Sequence, residues 1–178
     1  YRDFVDDADR LRADPAHYVA AGRDVIVLRS FSKSAGLANL RVGYAIARPD
    51  LVEYLHHAQL PFNTGAIALA AARASLDDCD YLERNRRLIR EEREFLYAAF
   101  DSLDISYVRS QTNFVLVIGL PVEAKVFAEC LIRRGVIVRP MTGWGLPDAI
   151  RVSLGTREQN ERFVAALRAV LEEVRVAA

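Results

Sequence analysis

The hydrophobic residues of the 178-residue chain fall into two patterns, short apolar runs and longer stripes with helical spacing. Short runs rich in β-branched residues predict strands, and stripes that repeat every three to four residues predict helices. The predicted strands are residues 25–30, 40–47, 105–108, 113–118, 136–139 and 149–153. The predicted helices are residues 51–57, 66–75, 81–100, 123–133 and a last helix that begins at Thr156. Alternation of this kind predicts an α/β fold.

Several local patterns predict where these elements begin and end. The run at 25–30 is continuously apolar, which is typical of a strand buried on both faces of a covered sheet. Asp50 is predicted to cap the helix at 51–57. Gly135 is predicted to end the helix at 123–133. The residues Thr156-Arg157-Glu158-Gln159 match a capping box.

The order of the elements changes after the helix at 81–100, and this change predicts two domains. That helix has a broken apolar stripe opposite a face dense with Arg and Glu, a pattern expected of a helix that connects two parts of a molecule. We place the boundary near residue 98, with one domain over residues 1–98 and the other over residues 99–178.

Composition narrows the class of protein. The chain is 52% hydrophobic and 27% charged, which indicates a soluble globular protein. Its net charge is zero, so no overall positive electrostatic field would attract nucleic acid. No apolar stretch reaches the length of a membrane span and no export signal opens the chain, so we expect a cytoplasmic protein. No metal site or disulfide framework is indicated by the spacing of the two cysteines, Cys79 and Cys130. No metal site is indicated by the histidines at 17, 56 and 57.

Lysine is rare in this chain and therefore informative. Only Lys33 and Lys125 are lysines among the 24 basic residues. A primary amine can lose its proton and attack a carbonyl, whereas guanidinium cannot. Lys125 lies on the polar face of a predicted helix, which indicates a surface residue. Lys33 follows a predicted strand in a loop of small residues, where ligands of open α/β sheets tend to bind.

The segment from Ser30 to Tyr44, SFSKSAGLANLRVGY, resembles the lysine segment of fold-type I pyridoxal-phosphate aminotransferases. That segment has the form S-x-S-K followed by G-L-A-G-L-R-x-G-Y, and the match is best within the histidinol-phosphate aminotransferases. Asn39 stands where the family usually has glycine. Asparagine is among the few side chains that readily adopt the positive φ a glycine allows.

The resemblance implies pyridoxal 5′-phosphate as the cofactor. It makes Lys33 the catalytic residue, which holds the cofactor as a Schiff base and then moves a proton between the substrate and the cofactor. We expect its amine to be shielded inside a pocket. Arg41 is implied to bind the cofactor phosphate together with the hydroxyls of Ser30 and Ser32.

Three other segments extend the resemblance. Residues 1–4 are similar to the second half of the family's D-E-A-Y-x-x-F motif, which makes Tyr1 a hydrogen-bond donor to the cofactor ring oxygen. Residues 149–156 are similar to I-R-V-x-x-G-T, which makes Arg151 the clamp on a substrate α-carboxylate. The segment 135–141 is also family-like, and Arg139 is implied to approach a substrate phosphate.

Taken together, the resemblance implies the end of a large cofactor-binding domain followed by a smaller α+β domain. It implies amino transfer between L-histidinol phosphate and 2-oxoglutarate, with imidazole-acetol phosphate and L-glutamate as products, in histidine biosynthesis by a homodimer. Alternatives are another amino-acid aminotransferase or decarboxylase of this fold, and an aminotransferase-like effector domain of a transcription regulator.

We also expect the natural protein to begin upstream of Tyr1, because position 1 is not Met. The family's phosphate-binding loop and the acidic partner of the cofactor ring nitrogen would lie there. Residues 1–178 alone are therefore expected to have little activity.

Overall fold

A computed structural model describes residues 1–6, 9 and 14–177 of the chain. The chain divides into two compact units, residues 1–86 and 87–178, which we describe separately. The division falls within a 24-residue helix, Cys79–Ser102. The assignment of a domain boundary near residue 98 remains a prediction.

The first unit contains a two-stranded antiparallel sheet and several helices. A short helix α1, Ala16–Ala20, precedes strand β1, Val27–Ser30, and a 3-10 turn at Ala38–Leu40 leads to strand β2, Gly43–Ile46. The pairing of β1 with β2 runs from Val27 opposite Ile46 to Ser30 opposite Gly43. Helices α2, Pro49–Ala58, and α3, Ala66–Asp77, follow, and helix α4, Cys79–Ser102, begins in this unit.

Two sequence-based expectations for the strands and helices of this unit are wrong. Strand β1 is not buried on both faces: Leu28 is 77% exposed, because among the described residues β1 pairs only with β2 and nothing covers that face. Asp50 does not cap α2, because the helix begins one residue earlier, at Pro49. Proline suits the first position of a helix, where a backbone N–H would have no partner within the helix. The Asp50 carboxylate instead accepts a 2.7 Å hydrogen bond from Arg48, which holds the pKa of Asp50 below its ordinary value.

The second unit is built on a four-stranded antiparallel sheet with the order β3-β4-β6-β5. The strands are β3, Tyr107–Val108, β4, Phe114–Val117, β5, Arg139–Pro140, and β6, Ile150–Ser153. Helix α5, Ala124–Ile132, and helix α6, Arg157–Ala177, complete the unit. Gly135 follows α5 with a φ of +73°, as the predicted end of that helix requires.

Alternation along the central strands gives this sheet one buried face. Val115 and Val117 of β4 and Ile150 and Val152 of β6 point into the core, where they meet apolar residues of α4, α5 and α6. Because side chains alternate along a strand, Arg151 lies on the opposite face. The fold therefore places this arginine away from the core.

The capping box at the start of α6 is confirmed. The Thr156 N–H donates to Gln159 Oε1 at 2.9 Å, and the Gln159 N–H donates to Thr156 Oγ1 at 3.4 Å. Both cysteines are free thiols. Within residues 1–6, 9 and 14–177, no helix combines the length and the apolar character needed to cross a membrane.

Candidate functional site

The loop that carries Lys33 connects β1 to β2 and is folded by its own backbone. The Gly36 N–H donates to the Lys33 carbonyl at 3.0 Å, and the Leu37 N–H donates to the Phe31 carbonyl at 3.0 Å. Gly36 has a φ of +71°, which glycine adopts without steric cost. The loop is therefore compact and presents Lys33 at the end of β1.

A pocket of about 420 Å³ lies beside this loop. Three of the residues predicted as cofactor contacts line it: Tyr1, Ser30 and Lys33. The Lys33 Nζ lies 5.5 Å from the centroid of the Tyr1 ring, within the range of a cation–π contact. The structure thus brings together residues that are 32 positions apart in the sequence.

The Lys33 side chain is exposed, so the expectation of a shielded amine is wrong for this chain. Tyr1, on the other side of the contact, is also exposed. The pocket is therefore open to water beside Lys33 and Tyr1, since both of these lining residues are exposed.

Arg41 and the two serines form a second group next to the lysine. Arg41 Nη1 donates to the Ala38 carbonyl at 2.7 Å and to Ser32 Oγ at 3.5 Å, and the Ser32 N–H donates to Ser30 Oγ at 3.1 Å. Arg41 adopts a φ of +51°, a conformation that costs a non-glycine residue roughly 1–2 kcal/mol. Strain of this kind is concentrated at functional sites.

The departure from the family motif at Asn39 carries no backbone cost. Asn39 lies within the 3-10 turn Ala38–Leu40, and the positive φ in this segment belongs to Arg41 two residues later. A glycine is therefore not needed at position 39 for the turn to form.

The residues that hold the lysine loop from outside are not indicated by any sequence pattern. The Ser34 hydroxyl donates to Asp3 Oδ2 at 2.5 Å, and Asn85 Nδ2 of α4 donates to the Ser34 carbonyl at 2.9 Å. The Tyr81 hydroxyl packs against Gly36, 2.8 Å from the position a Cβ would occupy. These contacts join distant segments, so no local pattern in the sequence points to them.

A carboxylate also braces the pocket wall. Asp14 pairs with Arg29 of β1 and, at 2.8 Å, with Arg2 beside Tyr1. The pKa of Asp14 lies below its ordinary value, chiefly because the Ala16 N–H donates to its carboxylate, with further lowering by the two arginines. Arg2 and Arg29 both line the pocket.

The two predicted substrate arginines lie in the second unit, on neighbouring strands. Arg139 of β5 is the Cα partner of Arg151 of β6, and residues directly opposite in a ladder share a face. The Arg151 guanidinium lies 5.0 Å from the Phe114 ring centroid, and its buried Nε has no hydrogen-bond partner among the described residues. Like charges opposite each other are unfavourable unless an anion lies between them.

Among the described residues, no group of three or more His, Cys, Asp and Glu side chains is arranged to hold a metal ion. In the first unit, the chemical groups around the lysine loop are an amine, a phenol, hydroxyls, guanidinium groups and the Asp3 carboxylate.

Comparison with known proteins defines the class. The model of the aminotransferase class I and II family matches residues 1–167, and the chain belongs to this family. It is 45% identical over 97% of its length to a histidinol-phosphate aminotransferase of Symbiobacterium thermophilum, of which it covers 46%. It is also 45% identical, over 85% of its length, to histidinol-phosphate aminotransferase 1 of Nitrosococcus oceani, of which it covers 41%.

A solved structure is similar as well. The histidinol-phosphate aminotransferase of Sinorhizobium meliloti, in complex with pyridoxal 5′-phosphate, superposes with a TM-score of 0.73 at 29% identity. The match covers 84% of this chain and 42% of that one. The chain therefore spans less than half the length of these relatives.

Proposed function

We propose that the complete protein is a pyridoxal-phosphate-dependent transaminase that exchanges an amino group between L-histidinol phosphate and 2-oxoglutarate in histidine biosynthesis. The observation that carries this proposal is the approach of the Lys33 amine to the Tyr1 ring at a pocket also lined by Ser30. The names of the relatives at 45% identity support the substrate.

The groups that line the pocket, together with Ser32 and Arg41 of the adjacent segment, fit this cofactor. Lys33 supplies a primary amine for an aldehyde, Tyr1 a phenol that donates to a ring oxygen, and Arg41 with two serine hydroxyls a set of donors for a phosphate. A volume of about 420 Å³ lies within the usual range of small-molecule pockets. No carboxylate forms a salt bridge with Lys33 in the described part of the chain.

The bound cofactor supplies an electrophilic carbon and an electron sink for the charge that develops at the substrate α-carbon. Lys33 would hold the cofactor through its amine and would hold and move the substrate α-carbon proton as a general base and acid. Tyr1 and Arg41 keep the ring and the phosphate in a fixed position. Proton transfer depends on this fixed geometry, because the amine must be within hydrogen-bond reach of the carbon it serves.

The paired arginines of the second unit suit the two substrates. Glutamate and 2-oxoglutarate bring an α-carboxylate for Arg151, and histidinol phosphate brings a phosphate for Arg139. The pairing of Arg139 with Arg151 on neighbouring strands and the unpartnered Nε of Arg151 support an anion at this position. We further propose that the complete protein works as a cytoplasmic homodimer.

The proposal is tested with Lys33→Ala and Lys125→Ala in the complete protein. Lys125 is exposed on α5 and is the other lysine of this chain, so it provides a matched control. We expect Lys33→Ala to abolish both the absorbance band of the lysine-linked cofactor and glutamate formation from histidinol phosphate and 2-oxoglutarate. Lys125→Ala should retain both. A Lys33→Ala protein that keeps the band and turns over substrate would exclude this role.

A further inference from the structure

We propose that Ser34 is a positioning residue, which holds Lys33 and Tyr1 in one fixed arrangement through its hydrogen bond to Asp3. The inference rests on the proposed function, because that function gives Lys33 and Tyr1 their roles. Ser34 itself touches neither the substrate nor the cofactor.

The hydrogen bond between Ser34 and Asp3 joins two residues that are 31 positions apart in the sequence. Ser34 directly follows Lys33 and is only 6% exposed, and Asp3 lies two residues after Tyr1. The Ser34 hydroxyl donates to Asp3 Oδ2 at 2.5 Å, a length expected of a charge-assisted O–H···O bond. The bond therefore ties the segment that carries the tyrosine to the loop that carries the lysine.

A second set of contacts fixes the loop from helix α4. Asn85 Nδ2 donates to the Ser34 carbonyl at 2.9 Å, so this residue is held by both its side chain and its main chain. One helical turn earlier, Tyr81 packs against Gly36 of the same loop. Because the hydrogen bond from Asn85 holds the Ser34 main chain against α4, the Ser34 hydroxyl has a fixed position from which it can bind Asp3.

The need for such a point follows from the exposure of the two functional groups. Lys33 and Tyr1 are both exposed, so burial alone does not fix either side chain. A lysine side chain has several rotatable bonds, and ordering it costs about 1.5–2 kcal/mol of conformational entropy. The hydrogen bond between Ser34 and Asp3 fixes the backbone next to Lys33 and near Tyr1. Less conformational entropy then remains to be lost when the cofactor binds, which is how supporting hydrogen bonds preorganise a site.

The experiment compares Ser34→Ala, Asp3→Ala and the double variant of the complete protein in titrations with pyridoxal 5′-phosphate. We expect each single variant to raise the Kd of the cofactor roughly 3- to 10-fold, since a hydrogen bond to a charged group is lost. The pH midpoint of the absorbance band of the bound cofactor should rise, because a displaced Tyr1 no longer stabilises the anionic ring oxygen. The double variant should be little worse than either single variant, as expected for two partners in one interaction.

Two further variants separate positioning from general damage. Asp3→Asn keeps an oxygen that can accept from Ser34 and should restore most of the affinity and the midpoint. Ser102→Ala removes a serine hydroxyl that donates to the Ala99 carbonyl at the far end of α4, and it should match the wild type in both. The unfolding temperature of the cofactor-free protein records any loss of stability in the variants.

The results distinguish this inference from the proposed function. If the wild type shows a lysine-dependent band while Ser34→Ala and Asp3→Ala bind cofactor with unchanged Kd and midpoint, only this inference is overturned. Additive effects in the double variant would overturn it as well. A wild-type protein without a lysine-dependent band would overturn the proposed function and this inference together.

Discussion

Glu92 is a buried carboxylate of the second unit, and its removal should lower the free energy of unfolding. It lies on α4, is 2% exposed, and accepts hydrogen bonds from Arg157 Nε at 3.0 Å and from Asn160 Nδ2 at 2.8 Å. Asn160, which is also buried, in turn accepts from the Gly155 N–H at 3.1 Å. The carboxylate thus anchors the start of α6 and the turn that follows the strand of Arg151.

The cost of Glu92→Ala can be estimated from these partners. Breaking a fully buried ion pair costs about 3–5 kcal/mol, because the remaining charge stays unpaired. The Arg157 side chain is 51% exposed and can turn to water, and Asn160 keeps a second acceptor, the Gly155 carbonyl. We therefore expect a smaller loss, about 2–3 kcal/mol, in the free energy of unfolding.

The measurement is urea unfolding followed by the fluorescence of Trp144, the single tryptophan of the chain, which lies in the same unit. Glu94→Ala is the matched control on the same helix, because Glu94 forms an exposed pair with Arg109 at 3.4 Å. Exposed pairs of this kind contribute about 0–1 kcal/mol. Equal destabilisation by the two substitutions would refute the argument that burial and shared hydrogen bonds give Glu92 its weight.

Two other outcomes can be checked in the first unit. Gly36→Ala should lower the free energy of unfolding by about 1–2 kcal/mol, because the φ of Gly36 is positive and the new Cβ would meet Tyr81. Adding Tyr81→Phe removes the tyrosine hydroxyl and should recover part of that loss, as measured by thermal unfolding. Asp14 has a lowered pKa, so its contribution to stability is present above its unfolded value of 3.8 and is lost as pH falls through the folded pKa. Acid titration of Asp14→Asn should accordingly show a shallower loss of stability below pH 3.8 than the wild type; an identical acid limb would contradict this.

Local rules were sufficient for most of the secondary structure. The apolar stripes predicted helices at 66–75 and 81–100, and the structure has α3 at Ala66–Asp77 and α4 at Cys79–Ser102. The capping box at Thr156 is local as well, since its two residues are separated by one helical turn. Such features depend on neighbours in the chain, which the sequence displays.

Expectations about burial were less reliable, because burial depends on what covers a segment. The run at 25–30 is apolar enough for a strand covered on both faces, yet Leu28 is exposed in the described part of the chain. Likewise, the glycine-rich family motif does not reveal that Arg41, rather than the residue at 39, takes the positive φ.

The sequence by itself determined the family, the rare lysine in its characteristic loop and the arginine eight positions later, because these follow from residue types at fixed spacing. Only the tertiary structure decided that Asp3 and Asn85 hold Ser34, and that Arg139 lies opposite Arg151. The physical reason is that hydrogen bonds and strand pairing act over a few ångströms in space, whereas Asp3 and Asn85 are 31 and 51 positions from Ser34 along the chain. Their partners are therefore fixed by the path of the backbone and cannot be recognised from composition or local pattern.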